Sequence, residues 1–448
     1  MTRFALLAAL FAAGATYAQP PKTPVELEKP LDLFKGGKFD ECLEELRKAA
    51  KANPALMPPR LILADWFSKA NRGPDARLNL ERAAAEDPKH PEVYLMNANV
   101  AFADGRVTDA ILNLRVAQQL AADVRWTAEQ KKRFLLETRL GLASCLDNRG
   151  DAAGVREALQ AVLTDDPKNG AVRQRLAGAV FSQGKLEEAF AELTKAHADD
   201  PAVELPELRM AGLWTAKANA TAKLDEAKGH RDNAETWLKK AVAAHAKSAR
   251  PFRAYANWLL EDGRPDAAAP YVDAAVKLEP TARDTLAARG VLARHTKDYA
   301  AAEAAFEQLY KDGPNDPFAV SNLALVLAES APEEKKKRAI NLAVALVQQN
   351  PQSPDAAAIL GWCKLKAGRL DEADETLTAV LKAGGQMSLD TVYFIGKLLS
   401  DRKKVEDAHK FLKAALDARG PFVYRPDAAA LLAELAKQLP VKKDEPKK

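Results

Sequence analysis

The architecture is decided by the segment Gly184-Lys185-Leu186-Glu187-Glu188-Ala189-Phe190-Ala191-Glu192-Leu193, because copies of this segment occur along almost the whole chain. Residues 37–46 read GKFDECLEEL and residues 368–377 read GRLDEADETL. A small residue marks the middle of each copy, and most successive markers are 34 residues apart. The eleven markers are Cys42, Ala76, Ala110, Val155, Ala189, Ala234, Ala268, Ala302, Ala339, Ala373 and Ala408. A regular period of this length predicts a repeat protein rather than a few globular domains.

Residues at constant distances from the marker predict what each repeat contains. Twelve residues before it stands Gly or Ala in ten of the eleven copies, as in Gly361 and, in the sixth copy, Ala222. Four residues after it stands a side chain larger than alanine in ten copies, as in Leu377. A small residue lets two helices cross closely, and the larger side chain fills the space beside the crossing. Glycines five residues before the marker, such as Gly229 and Gly368, are expected to end the first helix of a pair.

The whole pattern resembles the tetratricopeptide repeat family, whose motif W-x2-L-G-x2-Y is followed by A, F and P. The resemblance covers residues 23 to about 420, although Trp or Tyr at the first motif position survives only as Tyr94. It implies an all-α, right-handed superhelical solenoid of about eleven antiparallel helix pairs. One pair cannot bury its apolar face alone, so the pairs must stack.

Two repeats, at about 123–167 and 202–246, are 11 residues longer than the others. Eleven residues are close to three helical turns, so the insertion can lengthen a helix without rotating its packed face. We expect elongated first helices in both repeats. One should start at a capping box formed by Thr127 and Gln130. The other should start at Pro206 and run to about Lys228.

The two ends of the chain do not follow the repeat. Residues 1–18 have a positive start, a short apolar run and small residues before Ala18, which predicts a signal peptide, followed by a linker at 19–22. Residues 421–439 are expected to hold a helix that caps the last repeat, and the charged residues 440–448 to be disordered. The signal peptide predicts an exported protein, periplasmic or secreted. Because the apolar run is too short to span a bilayer, no membrane span is expected in the mature protein.

Composition and motifs argue against several functions. The chain has 66 Lys and Arg against 62 Asp and Glu, which leaves no concentrated basic face for nucleic acid. The six histidines are dispersed, and none lies at metal-ligand spacing from another. No nucleophile elbow, phosphate loop or HExxH motif is present. Cys42, Cys145 and Cys363 are expected to be buried thiols. The sequence therefore predicts a protein that is not an enzyme and has no metal or cofactor.

The resemblance implies a binding site, because ligands of the family lie along the inner face made by the first helices. On that face it places Arg250, Arg253 and Asn257 in one repeat and Arg294 in the next. Phe102 and Phe181 stand at one equivalent position in two other repeats. Some family members hold a carboxylate with Lys, Asn and Arg, but here Ala288 stands where an Asn is required.

A second interpretation of these arginines remains open. They can instead form ion pairs with nearby acidic residues of the chain, such as Asp284 and Glu261, and contact no partner at all.

The sequence predicts an extracytoplasmic scaffold that binds protein or peptide partners in this groove, in envelope assembly or secretion. The alternative is an accessory subunit that binds polysaccharide for export or modification. A groove lined by Trp362, Tyr393 and Phe394 would favour the alternative, since sugars stack on exposed aromatic rings.

Overall fold

The computed structural model describes residues 24–53 and 56–439. These residues form 23 α-helices and no β-strand. The predicted signal peptide, the 19–22 linker and the charged tail lie outside them. The chain divides into two compact units, residues 1–230 and 231–448. Each unit is an array of helices joined by short turns, as expected of an all-α repeat protein.

The helices of the first unit follow the predicted period. They are α1 (Val25–Lys35), α2 (Phe39–Ala52), α3 (Pro59–Lys69), α4 (Gly73–Glu86), α5 (Pro91–Ala103), α6 (Val107–Leu120), α7 (Ala128–Asn148), α8 (Ala152–Asp165), α9 (Gly170–Ser182), α10 (Leu186–Asp199) and α11 (Pro206–Ala220).

Helix α12 (Leu224–Ala244) contains the division between the units, and the second unit continues from it. Its other helices are α13 (Ala249–Glu261), α14 (Pro265–Leu278), α15 (Arg283–His295), α16 (Tyr299–Asp312), α17 (Pro317–Ala328), α18 (Glu333–Gln349), α19 (Pro354–Lys366), α20 (Leu370–Ala383), α21 (Leu389–Asp401), α22 (Val405–Asp417) and α23 (Arg425–Ala436). Ten pairs of consecutive helices pack together as hairpins within one unit or the other, and the single helix α23 follows the last of them.

The close helix crossings lie where the repeat predicts them. A β-carbon on Gly361 would lie 2.6 Å from Cγ of Leu377, and one on Gly396 would lie 2.9 Å from Leu412. In each pair the glycine stands on the first helix and the leucine on the second. The turn between the two helices needs a left-handed residue, which is Gly368 at φ 76° and, in the next repeat, Lys403 at φ 57°.

The two long repeats differ from each other. Helix α7 has 21 residues and starts at a capping box in which Thr127 and Gln130 exchange hydrogen bonds, as expected. In the sixth repeat the prediction of a long first helix is wrong. Helix α11 ends at Ala220, and the second helix, α12, is the one with 21 residues.

The backbone at Thr221 explains where the first helix of that repeat ends. Thr221 is extended, at φ −90° and ψ 117°, and its hydroxyl donates to the carbonyl oxygen of Lys217 at 2.7 Å. This bond satisfies a carbonyl that helix termination leaves unpaired. Ala222 is therefore an exposed turn residue rather than a crossing residue, and Gly229 lies inside α12 without a positive φ.

The single helix α23 ends at Ala436, three residues short of the predicted boundary. It packs against α22 and α21 of the last repeat. Ala428 and Leu435 are buried, and Leu431 and Leu432 pack against the core of the unit. These apolar residues of α23 therefore cover the end of the helix array.

Candidate functional site

An open cleft of about 1130 Å³ lies in the first unit, between the second and third repeats. Residues of α3 and α4 form one wall and residues of α5 the other, with the start and middle of α6 below. Its lining is Ala64, Asp65, Ser68, Gly73, Pro74, Ala76, Arg77, Leu78, Leu80, Glu81, Met96, Asn97, Asn99, Val100, Asp104, Arg106 and Asn113. Asp65 and Asn99 both stand eleven residues before their markers, on the first helices of the two repeats. The first helices of these two repeats therefore contribute their inner face (the first-helix face) to the cleft, and the second helices α4 and α6 contribute most of the rest of its lining.

The wall made by α3 and α4 is held rigid from behind. Arg60 donates through Nε to Glu86 at 2.8 Å and through Nη1 to Oδ1 of Asn79 at 3.3 Å. Asn79 is buried and returns a bond to the backbone oxygen of Asp75 at 2.9 Å. These contacts link the two helices of the repeat, so this wall is preorganised for a ligand.

Several polar groups face the cleft without a partner from the chain. Within the described residues, the side chains of Asn97, Asn99, Arg77 and Glu81 make no hydrogen bond or ion pair. The two asparagines are half-buried, and an asparagine amide both donates and accepts. Beside them lie apolar side chains, including Leu78, which is 43% exposed. The cleft thus presents hydrogen-bonding groups next to an apolar surface.

Two of the predicted groove arginines are engaged inside the second unit. Arg253 pairs with Glu279 at 2.5 Å and donates to the hydroxyl of Thr285 at 3.1 Å. Arg294 is buried, donates to Oδ1 of Asn322 at 2.7 Å, and lies 3.6 Å from Oδ2 of Asp390.

The environment of Arg294 is a protein interior rather than an open groove. Burial raises the pKa of Asp390, and the charge of Arg294 opposes that rise. For Arg253 and Arg294 the interpretation as internal ion pairs therefore holds, although the acids differ from the two expected. The prediction that Arg294 faces an open groove is wrong, since its guanidinium lies within the packed unit.

The remaining predicted residues divide into exposed and packed positions. Arg250 and Asn257 lie on the exposed side of α13, where their role in binding stays a prediction. Phe102 is half-buried and packs against the core around α6 and α7. Phe181 is buried and meets Trp214 edge-on at 5.0 Å, which excludes it as an exposed contact for a partner.

The aromatic residues expected to line a sugar groove are covered as well. Trp362, Tyr393 and Phe394 are only 2%, 6% and 1% exposed. Tyr424, which lies outside the repeats, is packed among their rings. Sequence periodicity could not reveal this residue, because the segment that carries it has no counterpart in the other repeats.

Cys42, Cys145 and Cys363 are free and buried, as predicted. The described residues contain no group of His, Cys, Asp and Glu suited to a metal ion. None of the described helices combines the length and the apolar character needed to cross a membrane.

Stacked helical hairpins with small residues at their crossings define a class, the helical-repeat proteins. Two family models described as tetratricopeptide repeat match this chain, one at residues 63–124 and 255–317, the other at 148–211 and 333–389. Because these matches cover more than half of its length, the chain belongs to the tetratricopeptide repeat family.

Solved structures of the same fold are similar to this chain. A tetratricopeptide repeat protein from Parabacteroides merdae is 15% identical over 68% of this chain and 98% of its own, with a TM-score of 0.38. Yeast Tom70 is 14% identical over 92% of this chain and 95% of its own, with a TM-score of 0.34. YrrB, a TPR protein with an unusual peptide-binding site, is 25% identical over 45% of this chain and 98% of its own, with a TM-score of 0.28. No curated protein sequence matches the chain.

Proposed function

We propose that this protein is a non-catalytic scaffold that binds an extended peptide segment of a partner protein in the cleft between α4 and α5. The signal-peptide pattern of residues 1–18 supports a place of action outside the cytoplasmic membrane. Together, a repeat scaffold and export suggest a role in envelope assembly or secretion, by analogy of fold and location alone.

One observation carries the proposal: the cleft places unpartnered asparagine amides next to an exposed apolar surface. An extended peptide offers backbone N–H and C=O groups along its length. The amide oxygens of Asn97 and Asn99 can accept from the N–H groups, and their amide nitrogens can donate to the C=O groups. Leu78, Met96 and Val100 offer apolar contact to its side chains. Arg77 and Glu81 present both signs of charge, which favours a peptide of mixed charge over a polyanion.

The polysaccharide alternative receives no comparable support. Sugar sites depend on exposed aromatic rings, and the residues that line the cleft include none. The rings considered for such a site, Trp362, Tyr393 and Phe394, are buried in the second unit.

Selection and titration with a defined probe test the proposal. Peptides of twelve residues are selected from a random display library on the full-length mature protein, and their affinities are measured by calorimetry. Each side-chain hydrogen bond contributes about 0.5–1.5 kcal/mol, so replacing Asn97 and Asn99 together by alanine should weaken binding about fivefold or more.

Asn219→Ala serves as the matched control, because Asn219 is an exposed asparagine on α11 that does not line the cleft. It should leave the affinity unchanged. Selected peptides that bind the double variant as tightly as the unchanged protein would show that the cleft is not the site.

A further inference from the structure

Residues 418–424, with the sequence ARGPFVY, connect α22 to α23 without forming a helix. Gly420 has φ 136° and precedes Pro421, which directs the chain away from the axis of α22. Phe422 and Tyr424 are nevertheless buried, at 2% and 7% exposure. We call residues 418–424 the docked segment.

The ring of Tyr424 lies in an aromatic pocket. It stacks on Tyr393 at 5.1 Å with an interplanar angle of 13°, and it meets Trp362 edge-on at 5.4 Å. Phe394 closes the pocket at 5.3 Å. Each such ring contact stabilises the packed state by about 0.5–1.5 kcal/mol beyond the stabilisation that comes from burying the rings.

A carboxylate binds the polar end of the same side chain. The hydroxyl of Tyr424 donates to Oε1 of Glu329 at 3.2 Å. The indole of Trp362 donates to the same oxygen at 3.1 Å, and Lys366 pairs with Oε2 at 2.5 Å. Glu329 is therefore oriented by the chain so that it accepts from a phenol in the pocket.

A second carboxylate binds the backbone of the docked segment. Oδ1 of Asp390 accepts the N–H groups of Val423 at 2.9 Å and Tyr424 at 3.4 Å. Arg294 lies 3.6 Å from the other oxygen of Asp390, and its guanidinium is 5.8 Å from the centre of the Tyr424 ring. Backbone N–H groups belong to every peptide, so this contact recognises an extended chain rather than a particular sequence.

These contacts come from the first helices of several repeats. Arg294 belongs to α15, Glu329 caps α17, Trp362 lies on α19 and Tyr393 on α21. A segment that only covered the end of the array would contact the last repeat alone. The docked segment instead crosses the first-helix face, as an extended ligand would.

Among the residues that the structure describes, no segment covers the same face in the first unit. Trp362 stands eleven residues before its marker, as do Asp65 and Asn99, which line the open cleft. Equivalent positions are therefore open in one unit and covered by the chain's own residues in the other.

We propose that the first-helix face of α17, α19 and α21 is a binding site for an extended peptide that carries a tyrosine, and that residues 418–424 occupy it as a tethered ligand. An external peptide binds there only when the docked segment is released. This competition rests on the proposed peptide-binding function, whereas docking of the segment itself does not.

A labelled synthetic peptide with the sequence of residues 417–426 is the probe, and fluorescence anisotropy with the full-length mature protein is the measurement. Tyr424→Ala removes the side chain that fills the pocket, so this variant should bind the probe at least about tenfold more tightly than the unchanged protein, whose own segment competes. A probe with alanine in place of its tyrosine should not bind. Glu434→Ala, an exposed change on α23, is the control and should behave as the unchanged protein.

Hydrogen exchange on the unchanged protein tests the docking without any variant. The amides of Val423 and Tyr424 should exchange at least about a hundredfold faster than those of Trp362 and Phe394, because releasing the segment does not require unfolding of α19 and α21.

Two results would overturn the inference. One is a folded Tyr424→Ala variant that binds the probe no better than the unchanged protein. The other is exchange of the segment amides at the rate of the helices beneath them. Alanine at Asn97 and Asn99 should not alter probe binding here, so failure of this site and failure of the cleft are distinguishable.

Discussion

The ring of Phe306 occupies the space that a β-carbon on Gly290 would require, since such an atom would lie 2.6–2.9 Å from three ring carbons. Gly290→Ala should therefore lower the free energy of unfolding by about 1–3 kcal/mol, as overpacking does. Urea denaturation followed by circular dichroism measures the effect. Gly212→Ala is the control, because its added methyl group meets nothing within 4 Å and should be neutral or stabilising. A wild-type urea midpoint for Gly290→Ala would mean that this crossing is looser than the structure shows.

We expect Arg294 to contribute to the stability of the second unit rather than to contact a partner. Arg294→Ala leaves the partly buried carboxylate of Asp390 without its positive neighbour, which should lower the free energy of unfolding of the second unit by about 3 kcal/mol. Arg250→Ala, at an exposed position, should change it by less than about 0.5 kcal/mol. Comparison of the two urea midpoints separates these outcomes. An unaltered midpoint for Arg294→Ala would restore a role for this residue outside the packed interior.

Glu235 should make the second unit sensitive to acid. The bidentate bond from Arg264, with further bonds from Tyr255 and Lys239, lowers the pKa of Glu235 to about 2. A carboxyl group whose pKa is lowered by folding stabilises the protein above its unfolded pKa of about 4.5. That stability is lost as the pH falls from 4.5 through 2.

Glu235→Gln should therefore be less stable than the unchanged protein at pH 6, and the difference should shrink by pH 2.5. Urea midpoints at the two pH values provide the measurement, and Glu334→Gln, an exposed change, is the control. A difference that is independent of pH would rule out the bond to Arg264 as its source.

The three thiols should be inert in the native protein. Burial raises the pKa of Cys42 and of Cys145 to about 11, and it raises that of Cys363 further. Since the thiolate is the reactive form, a disulfide reagent at pH 8 should label none of them until guanidinium unfolds the chain. Labelling counted by mass spectrometry checks this. Fast labelling of any one thiol in the native state would contradict its burial.

Cleavage after Ala18 should leave Gln19 as the first residue of the exported protein. The intact mass of the protein from the extracytoplasmic fraction of its own host tests this. Recovery of the protein with residues 1–18 attached, or only from the cytoplasm, would remove the basis for the proposed location.

The period predicted the helix pairs well, because most crossings require a small residue and most turns within a pair require a left-handed residue. It failed in the sixth repeat, where an insertion of whole helical turns preserves the packed face of whichever helix receives it. A signal was present, however: Lys223-Leu224-Asp225-Glu226-Ala227 repeats the pattern of residues 185–189 and marks the start of the second helix. The repeat register predicted which residues lie on the first-helix face. It could not predict whether that face is open or covered. Arg294 is covered in part by Tyr424, 130 positions away, and periodicity carries no information about such a contact.

Nζ of Lys297 lies 2.7 Å from Oδ1 of Asp427, and this ion pair joins residues that are 130 positions apart in the sequence. Equivalent residues of neighbouring repeats are only about 34 positions apart. Arrays with only neighbour contacts lose their terminal repeats first, as separate small steps. Here Asp427 of α23 pairs with Lys297 in the turn after α15, and Tyr424 bonds to Glu329 at the end of α17, so fraying of the last repeats must also break these long-range contacts. Release of the docked segment would remove these contacts, so the last repeats would then open at a lower free energy than the rest of the unit.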